Sequence, residues 1–470
     1  MKLKPNILFI VVDSFQADKC YNKNKTSITP NIDFLINNGV YFSQTISTSP
    51  TTVPSFASIF TGSYPFESVI REKNIFKINP NKINYIKNLI NYGYNTYATI
   101  PKLFSFIGLD TIFETKVDTY ESFENLYDGV GKQILNNLSE NNFDQPWFYY
   151  LHLMDLHGTE TSFLSQPPNE FSNIKFGSNR YEQMVSALDV WIGKILEKIN
   201  LENTLIIFTA DHGSDAASWT PEMEKFAQLN IENRKIEPGI THTLAMKIPK
   251  SIIPFRKKLS EKYRNNRDKK IENKIRPNIE KINELNLSPY KKRVMENAIR
   301  SVPKVYEEMC HVPLIICGYN TPHKIIQQLV RSLDIFPTIA EIIGLNQNDK
   351  MVDGQSLLPL INDKIIVEEP AYLESDVHSF SDNNVIGIRT SKHKYFRNEK
   401  DPSKNIHLYD LKNDLLEEKN IAKDFDNIII EMENILKEIR NRNLKQNVDI
   451  HIDEDEMKKI EEELKKLGYV

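Results

Sequence analysis

Asn6-Ile-Leu-Phe-Ile-Val-Val-Asp13 is an apolar run closed by an acid. The run is shorter than a signal-peptide core, and its aliphatic and aromatic content predicts a strand buried on both faces. A carboxylate at the tip of such a strand needs a partner, because burying a charge unpaired is expensive. A bound cation would supply one; capping of the next element is the ordinary alternative. Leu205-Ile-Ile-Phe-Thr-Ala-Asp211-His212-Gly213 repeats the device, with carboxylate and imidazole side by side and a glycine that lets the backbone turn tightly. Oxygen and nitrogen donors together suit zinc, manganese or a similar divalent ion. Asp13, Asp211 and His212 are therefore the candidate metal ligands.

Outward from these two strands, short apolar runs alternate with helical segments. Strands are expected at Asn6–Val12, Tyr94–Ile100, Trp147–Leu153, Thr204–Thr209 and Val312–Cys317. Thr29-Pro30 opens a helix that Gly39 closes, and Gly93 closes another that begins near Asn81. This is the pattern of an α/β domain around a large, mostly parallel sheet, whose ligands sit at the carboxyl ends of the strands. Residues 214–303 break it as a helical insert. Its stretch 250–300 carries sixteen Lys or Arg against six acids, a solvated helical face or a basic lid for an anion. Residues 1–370 read as one large domain containing that insert, 371–425 as a small C-terminal β subdomain, and 426–470 as helices. Within 371–425, Val385–Tyr395 alternates like a strand pair and Pro402–Tyr409 reads as the loop beyond it. In the helices, Ile428, Met432, Ile435 and Ile439, then Met457, Ile460, Leu464 and Leu467, recur at helical spacing as core or as homo-oligomer contacts.

Composition excludes several classes. At 40% hydrophobic and 26% charged residues the chain is ordinary globular protein, and a net charge of −4 does not predict a nucleic-acid partner. No run of about 18 apolar residues predicts a membrane span. Cys20, Cys310 and Cys317 are odd in number and lack metal-ligand spacing, which points away from a disulfide framework and towards a reducing, cytoplasmic setting.

A third element is Ser49-Pro-Thr-Thr52-Val-Pro54-Ser55-Phe56-Ala-Ser-Ile-Phe-Thr-Gly62. Pro54 fits a first helical turn and Gly62 the helix end, which places Thr52 at or beside the cap. Thr52 is then either a cap or a nucleophile whose alkoxide is favoured by the helix N-terminus and a nearby cation.

The order strand-Asp13, Thr29-Pro-Asn-Ile-Asp-Phe-Leu, Gly39-Val-Tyr-Phe, Thr52-Val-Pro-Ser and Thr61-Gly-Ser-Tyr-Pro65 resembles the amino-terminal half of sulfatases, in the alkaline phosphatase superfamily. It continues through Asp211-His-Gly, Val312-Pro-Leu-Ile-Ile, Asp334-Ile-Phe-Pro-Thr, Asp353-Gly-Gln-Ser-Leu and Leu408-Tyr-Asp-Leu. The resemblance implies an alkaline phosphatase/sulfatase-like α/β sandwich and one divalent ion (Zn, Mn, Ca or Mg) held by Asp13, Thr52, Asp211 and His212. It also implies proton donation by His157 and His152 of His-Leu-Met-Asp-Leu-His, with Lys102 and His242 binding substrate. His311 is read as structural.

Three departures bear on activity. Sulfatases carry Cys or Ser at the position of Thr52 for conversion to formylglycine, Arg at that of Phe56, and a second Asp at that of Ser14. No formylglycine is expected. Thr at this place is similar to phosphoethanolamine and phosphoglycerol transferases, which form a phosphothreonine. The implied activity is cleavage of an anionic small-molecule, glycan or lipid-headgroup ester through a covalent Thr52 intermediate, by hydrolysis or transfer, with a phosphoester ahead of a sulfuric ester. The alternatives are a sulfatase acting on a sulfated glycan or metabolite, and a non-catalytic module binding an anion or partner through the basic insert.

Overall fold

The structure, a computed structural model, describes residues 4–72, 75–82, 84–106, 108–139, 142–157, 166–220, 223–224, 270, 273–300, 305–345, 352–375 and 384–442. Eight strands form the central sheet: β1 (Asn6–Val12), β2 (Gly39–Phe42), β3 (Asn95–Pro101), β4 (Lys116–Tyr120), β5 (Trp147–Leu153), β6 (Thr204–Thr209), β7 (Leu314–Gly318) and β8 (Lys324–Ile326). Their spatial order is β8-β2-β7-β6-β1-β5-β3-β4. β6, β1, β5, β3 and β4 run parallel, while β7 lies antiparallel to both β6 and β2. All seven residues of β1 are buried, as its unbroken apolar run requires of a strand at the middle of a sheet covered on both faces. This is the alkaline phosphatase/sulfatase-like sandwich, completed by a separate antiparallel sheet of β9 (Ala371–Ser375), β10 (Val385–Arg389), β11 (His393–Asn398) and β12 (His407–Asp410).

Helix α1 (Pro30–Asn37) has Pro30 in its first turn, but it ends at Asn38, and Gly39 opens β2 rather than closing the helix. A Cβ on Gly39 would lie 2.5 Å from the Ile316 carbonyl oxygen, so strand packing explains this glycine. Helix α2 (Thr52–Thr61) ends at Gly62 in a left-handed conformation, φ 63°. Helix α3 (Tyr85–Asn91) starts later than expected, where the Asn84 side chain caps the Ile86 and Lys87 amides. Val312 pairs with Thr45 in a small separate sheet, and the main strand begins only at Leu314. The expected loop at Pro402–Tyr409 yields β12 from His407 on.

Helix α4 (Arg180–Leu196) precedes β6, and α5 (Asp426–Arg442) is the last described element. Met432, Leu436 and Ile439 of α5 are buried in one cluster with Tyr372, Ile388 and Tyr395 of the small sheet. That stripe is therefore core within the chain; Met457, Ile460, Leu464 and Leu467 lie outside the described residues.

Contacts divide the chain into two units, Met1–Ala217 with Pro303–Val470, and Ser218–Val302. The second has its own apolar cluster of Met223, Ile275, Ile282, Val294 and Met295. Within it, 273–284 and Pro289–Arg300 are helical, while most of 221–272, His242 included, lies outside the described residues. No helix among the described residues is long and apolar enough to cross a membrane. Cys20, Cys310 and Cys317 are free and buried.

The small sheet is anchored by a buried ionic cluster. Lys394 Nζ lies 2.7 Å from Glu307 Oε1 and 3.1 Å from Glu417 Oε1, and Arg389 also faces Glu307. Burial pushes the Glu307 carboxyl up, but the charges of Lys394 and Arg389 outweigh it and hold the group well below the usual range. A depressed carboxylate contributes stability above its unfolded value of about 4.3 and loses it as pH falls further. Lys394→Met leaves these carboxylates buried without their central cation, and is expected to cost about 3–5 kcal/mol, read as a lowered denaturation midpoint.

Candidate active site

Three strand ends build the site. The Asp13 amide donates to the Leu153 carbonyl at 2.9 Å, extending the β1–β5 ladder by one residue and fixing the carboxyl at the sheet's edge. Chain direction then reverses through Ser14, a non-glycine residue at φ 64°. The Tyr181 hydroxyl of α4 holds that turn by donating to the Ser14 carbonyl at 2.7 Å and accepting from the Gln16 amide at 3.1 Å. In place of a second acid, Ser14 gives Asp13 a hydrogen bond from Oγ to Oδ1, 2.7 Å.

Asp211 stands two residues past β6. Its Oδ1 accepts from the Ser14 amide at 3.1 Å and from the His212 amide at 2.8 Å, whereas Oδ2 is buried without a hydrogen bond. Burial, then the neighbouring Asp13 charge, pushes this carboxyl's pKa up. His212 donates from Nδ1 to the Gly213 carbonyl at 2.8 Å, which leaves Nε2 with its lone pair towards the site. Gly213 is needed for space: a Cβ there would lie 2.2 Å from the Glu308 carbonyl oxygen. Gly213→Ala forces one backbone to move and is expected to cost about 1–3 kcal/mol, read as a lower unfolding midpoint.

Ligand-capable atoms of Asp13, Asp211 and His212 lie within 4.8 Å of one another, and all three residues are buried. The orphaned Asp211 oxygen, two adjacent carboxylates and an imidazole lone pair fit a divalent cation, which would replace the missing hydrogen-bond partner and offset the paired negative charge.

Thr52 stands on the same atoms. Thr51 is the cap of α2 and Thr52 its first residue, with Oγ1 3.2 Å from Asp13 Oδ2 and 3.2 Å from His212 Nε2. Phe56 and Phe60, one and two turns on, pack into the core against Phe104 and Tyr150 and so pin the helix. Before it, Ser47 Oγ bonds the Asp211 carbonyl and lies 3.0 Å from Ser55 Oγ, tying the Thr52 loop to the Asp211 strand end.

The two histidines of β5 and its exit differ. His157 Nδ1 is 2.8 Å from Asp13 Oδ1, and its side chain keeps 11% of its surface exposed. Burial would push its pKa down, but Asp13's charge and hydrogen bond prevail and raise it. His152 is wholly buried, with Nε2 3.3 Å from Asp13 Oδ2 and Nδ1 2.8 Å from the Tyr150 hydroxyl. It thus has protein on both ring nitrogens, which does not fit a donor to a leaving group. For Asp13, burial pushes the pKa up, yet His157's charge and hydrogen bonds from both histidines hold it well below the usual range.

Lys102 follows β3 at the same sheet edge, but its Nζ pairs with Glu121 at 3.1 Å, both half-exposed. His311 donates from Nε2 to the Ser43 carbonyl at 2.9 Å, a structural bond. Sequence reasoning missed Tyr181, Ser47 and Tyr150. Only Tyr150 had a signal, since it precedes His152 by two on a strand and therefore shares its face.

The sulfatase family model matches residues 5–345, and a model described as N-sulphoglucosamine sulphohydrolase, C-terminal, matches 302–444. The chain belongs to the sulfatase family. It is 23% identical over 464 residues to arylsulfatase K of Rattus norvegicus, across 93% of this chain and 78% of the relative. Among solved structures, a 2-O GAG sulfatase superposes with a TM-score of 0.63 at 16% identity, covering 96% of each chain. The phosphonate monoester hydrolase of Agrobacterium radiobacter superposes at 0.61 and 16% identity, covering 94% of this chain and 96% of that one. The protein is a hydrolytic enzyme of this superfamily acting on anionic esters, with a candidate divalent-metal site.

Proposed function

We propose that the chain hydrolyses a sulfuric ester of a glycan or small metabolite through a covalent Thr52 intermediate. The observation that carries the reading is the placement of Thr52 Oγ1 at 3.2 Å from both Asp13 and His212, on the donor set suited to a divalent ion. The family match, arylsulfatase K and the sulfohydrolase-type C-terminal region support a sulfuric ester ahead of the phosphoester favoured by sequence motifs alone.

When bound by Asp13, Asp211 and His212, a divalent ion supplies positive charge for the ester's oxygens and for a Thr52 alkoxide. Thr52 directs its hydroxyl proton at Asp13 Oδ2, so its oxygen's lone pairs are available for attack. Thr52 releases that proton to solvent, and attack by its oxygen forms the Thr52 Oγ1–sulfur bond and breaks the bond from sulfur to the ester oxygen. His157, whose pKa is raised by the charge and hydrogen bond of Asp13, gives a proton to the departing alcohol. Water then attacks the same sulfur, giving one proton to His157 and the other to Thr52 as the Oγ1–sulfur bond breaks and sulfate leaves.

Threonine favours a second reading, because its ester has no aldehyde exit and the same two attacks serve a phosphoester or phosphonate. Mass spectrometry of the Thr52 peptide after incubation with nitrophenyl sulfate, a nitrophenyl phosphodiester and a phosphonate monoester tests both. A sulfuryl adduct with sulfate release supports the first reading. A phosphoryl adduct supports the second, and turnover without any Thr52 adduct refutes the covalent route.

A further inference from the structure

Tyr150 lies on β5, two residues before His152 and on the same face of the strand. Its ring is buried in the core beside Phe60 and Phe9, and its hydroxyl is 2.8 Å from His152 Nδ1. Among the described residues, that is its only hydrogen-bond contact. His152 is enclosed as well: Phe104 packs edge-on at 4.4 Å, with Phe56 against Phe104 at 5.4 Å. The remaining ring nitrogen, Nε2, is 3.3 Å from Asp13 Oδ2.

The donor inventory of this chain of groups has one consistent solution. An ionised Asp13 accepts only, so Nε2 must carry the hydrogen in that bond. If Nδ1 also carried one, the buried Tyr150 hydroxyl would have no acceptor. Burial first, then the charges of Asp211 and Asp13, push the Tyr150 pKa far up, so its proton stays in place. The hydroxyl therefore donates to Nδ1, and Nε2–H is aimed at Asp13.

We infer that Tyr150 is a positioning residue: by donating to His152 Nδ1 it fixes the Nε2–H tautomer, which orients the Asp13 carboxylate for the divalent ion. This rests on Asp13 being a metal ligand, as in the function proposed above. His157, not His152, then remains to protonate the leaving group. The arrangement has the logic of outer partners that orient a metal's ligands, extended here to a tyrosine–histidine–carboxylate chain.

The test uses the full chain labelled with 15N in histidine, and the variant Tyr150→Phe, which keeps the ring and removes the hydroxyl. In the metal-free wild type, the His152 15N shifts are expected to report a protonated Nε2 and an accepting Nδ1; a protonated Nδ1 overturns the inference without recourse to any variant. In Tyr150→Phe the second tautomer becomes populated. Affinity for Zn2+ and Mn2+, measured against a competing chelator, falls about 10–100-fold. An unchanged tautomer and affinity in a folded Tyr150→Phe also overturn it. Neither readout involves turnover, so a wrong substrate or nucleophile leaves it standing. A wild type that binds neither ion overturns both the metal reading of the site and the orienting role assigned to Tyr150.

Discussion

Thr52→Ala is expected to lower kcat by at least about 10,000-fold, the scale on which removing a covalent nucleophile acts. The hydroxyl is the attacking group, and the other hydroxyls near it among the described residues are committed elsewhere: Ser14 donates to Asp13 Oδ1, Ser49 and Thr51 bond each other at 3.0 Å, Ser55 donates to the Ser49 carbonyl, and Ser47 bonds the Asp211 carbonyl. The fold should survive. Thr52 is the first residue of α2, not its cap, and among the described residues its hydroxyl oxygen lies within hydrogen-bond distance only of Asp13 and His212. Alanine is also the better helix former, so the unfolding midpoint should move little. Thr52→Ser restores the oxygen and should restore most of the rate. Steady-state kinetics on whichever ester the wild type turns over decide the matter: a few per cent of wild-type kcat in a metal-loaded Thr52→Ala would remove Thr52 from the chemistry.

Much of the site was legible because its parts sit at ends of regular elements. An apolar run stopping at Asp13, and another stopping before Asp211-His212, locate a sheet's carboxyl edge without any knowledge of the tertiary structure. Thr52 could be placed within one residue, since Pro54 and Gly62 bracket its helix. What escaped was long-range and polar. Nothing about Tyr181 in the middle of a helix announces that its hydroxyl grips the turn 167 residues earlier, at Ser14. Gly213 was read as a turn residue when its constraint is the Glu308 carbonyl, a neighbour 95 residues away in sequence. His152 and His157 look equivalent in the motif; only burial separates an imidazole enclosed by Tyr150 and Phe104 from one at the site's rim. Helix ends shifted for local reasons, such as the Asn84 side chain capping α3.

Asp211→Asn separates metal binding from folding, because the substitution has opposite effects with and without the ion. Asn keeps a carbonyl oxygen for the Ser14 and His212 amides, so the two bonds that shape the strand end persist. What disappears is the negative charge on Oδ2, the oxygen with no hydrogen bond in the structure. In the metal-free protein that charge is unfavourable: burial and Asp13 raise the Asp211 pKa above its unfolded value. A raised carboxyl loses stability as pH climbs from about 3.9 through its folded value, and Asn escapes that loss. Metal-free Asp211→Asn should therefore melt at or above the wild-type temperature at neutral pH. Adding Zn2+ or Mn2+ should reverse the order. The wild type gains about 2.7 kcal/mol when the free ion stands at 100 times its dissociation constant. The variant, with affinity lowered beyond the roughly 10–100-fold that outer-shell changes cost, gains little at the same concentration. Differential scanning calorimetry with chelator and with metal reads both arms. If the two proteins shift equally on adding metal, Asp211 is not a ligand, and the paired carboxylates at the sheet edge need another explanation.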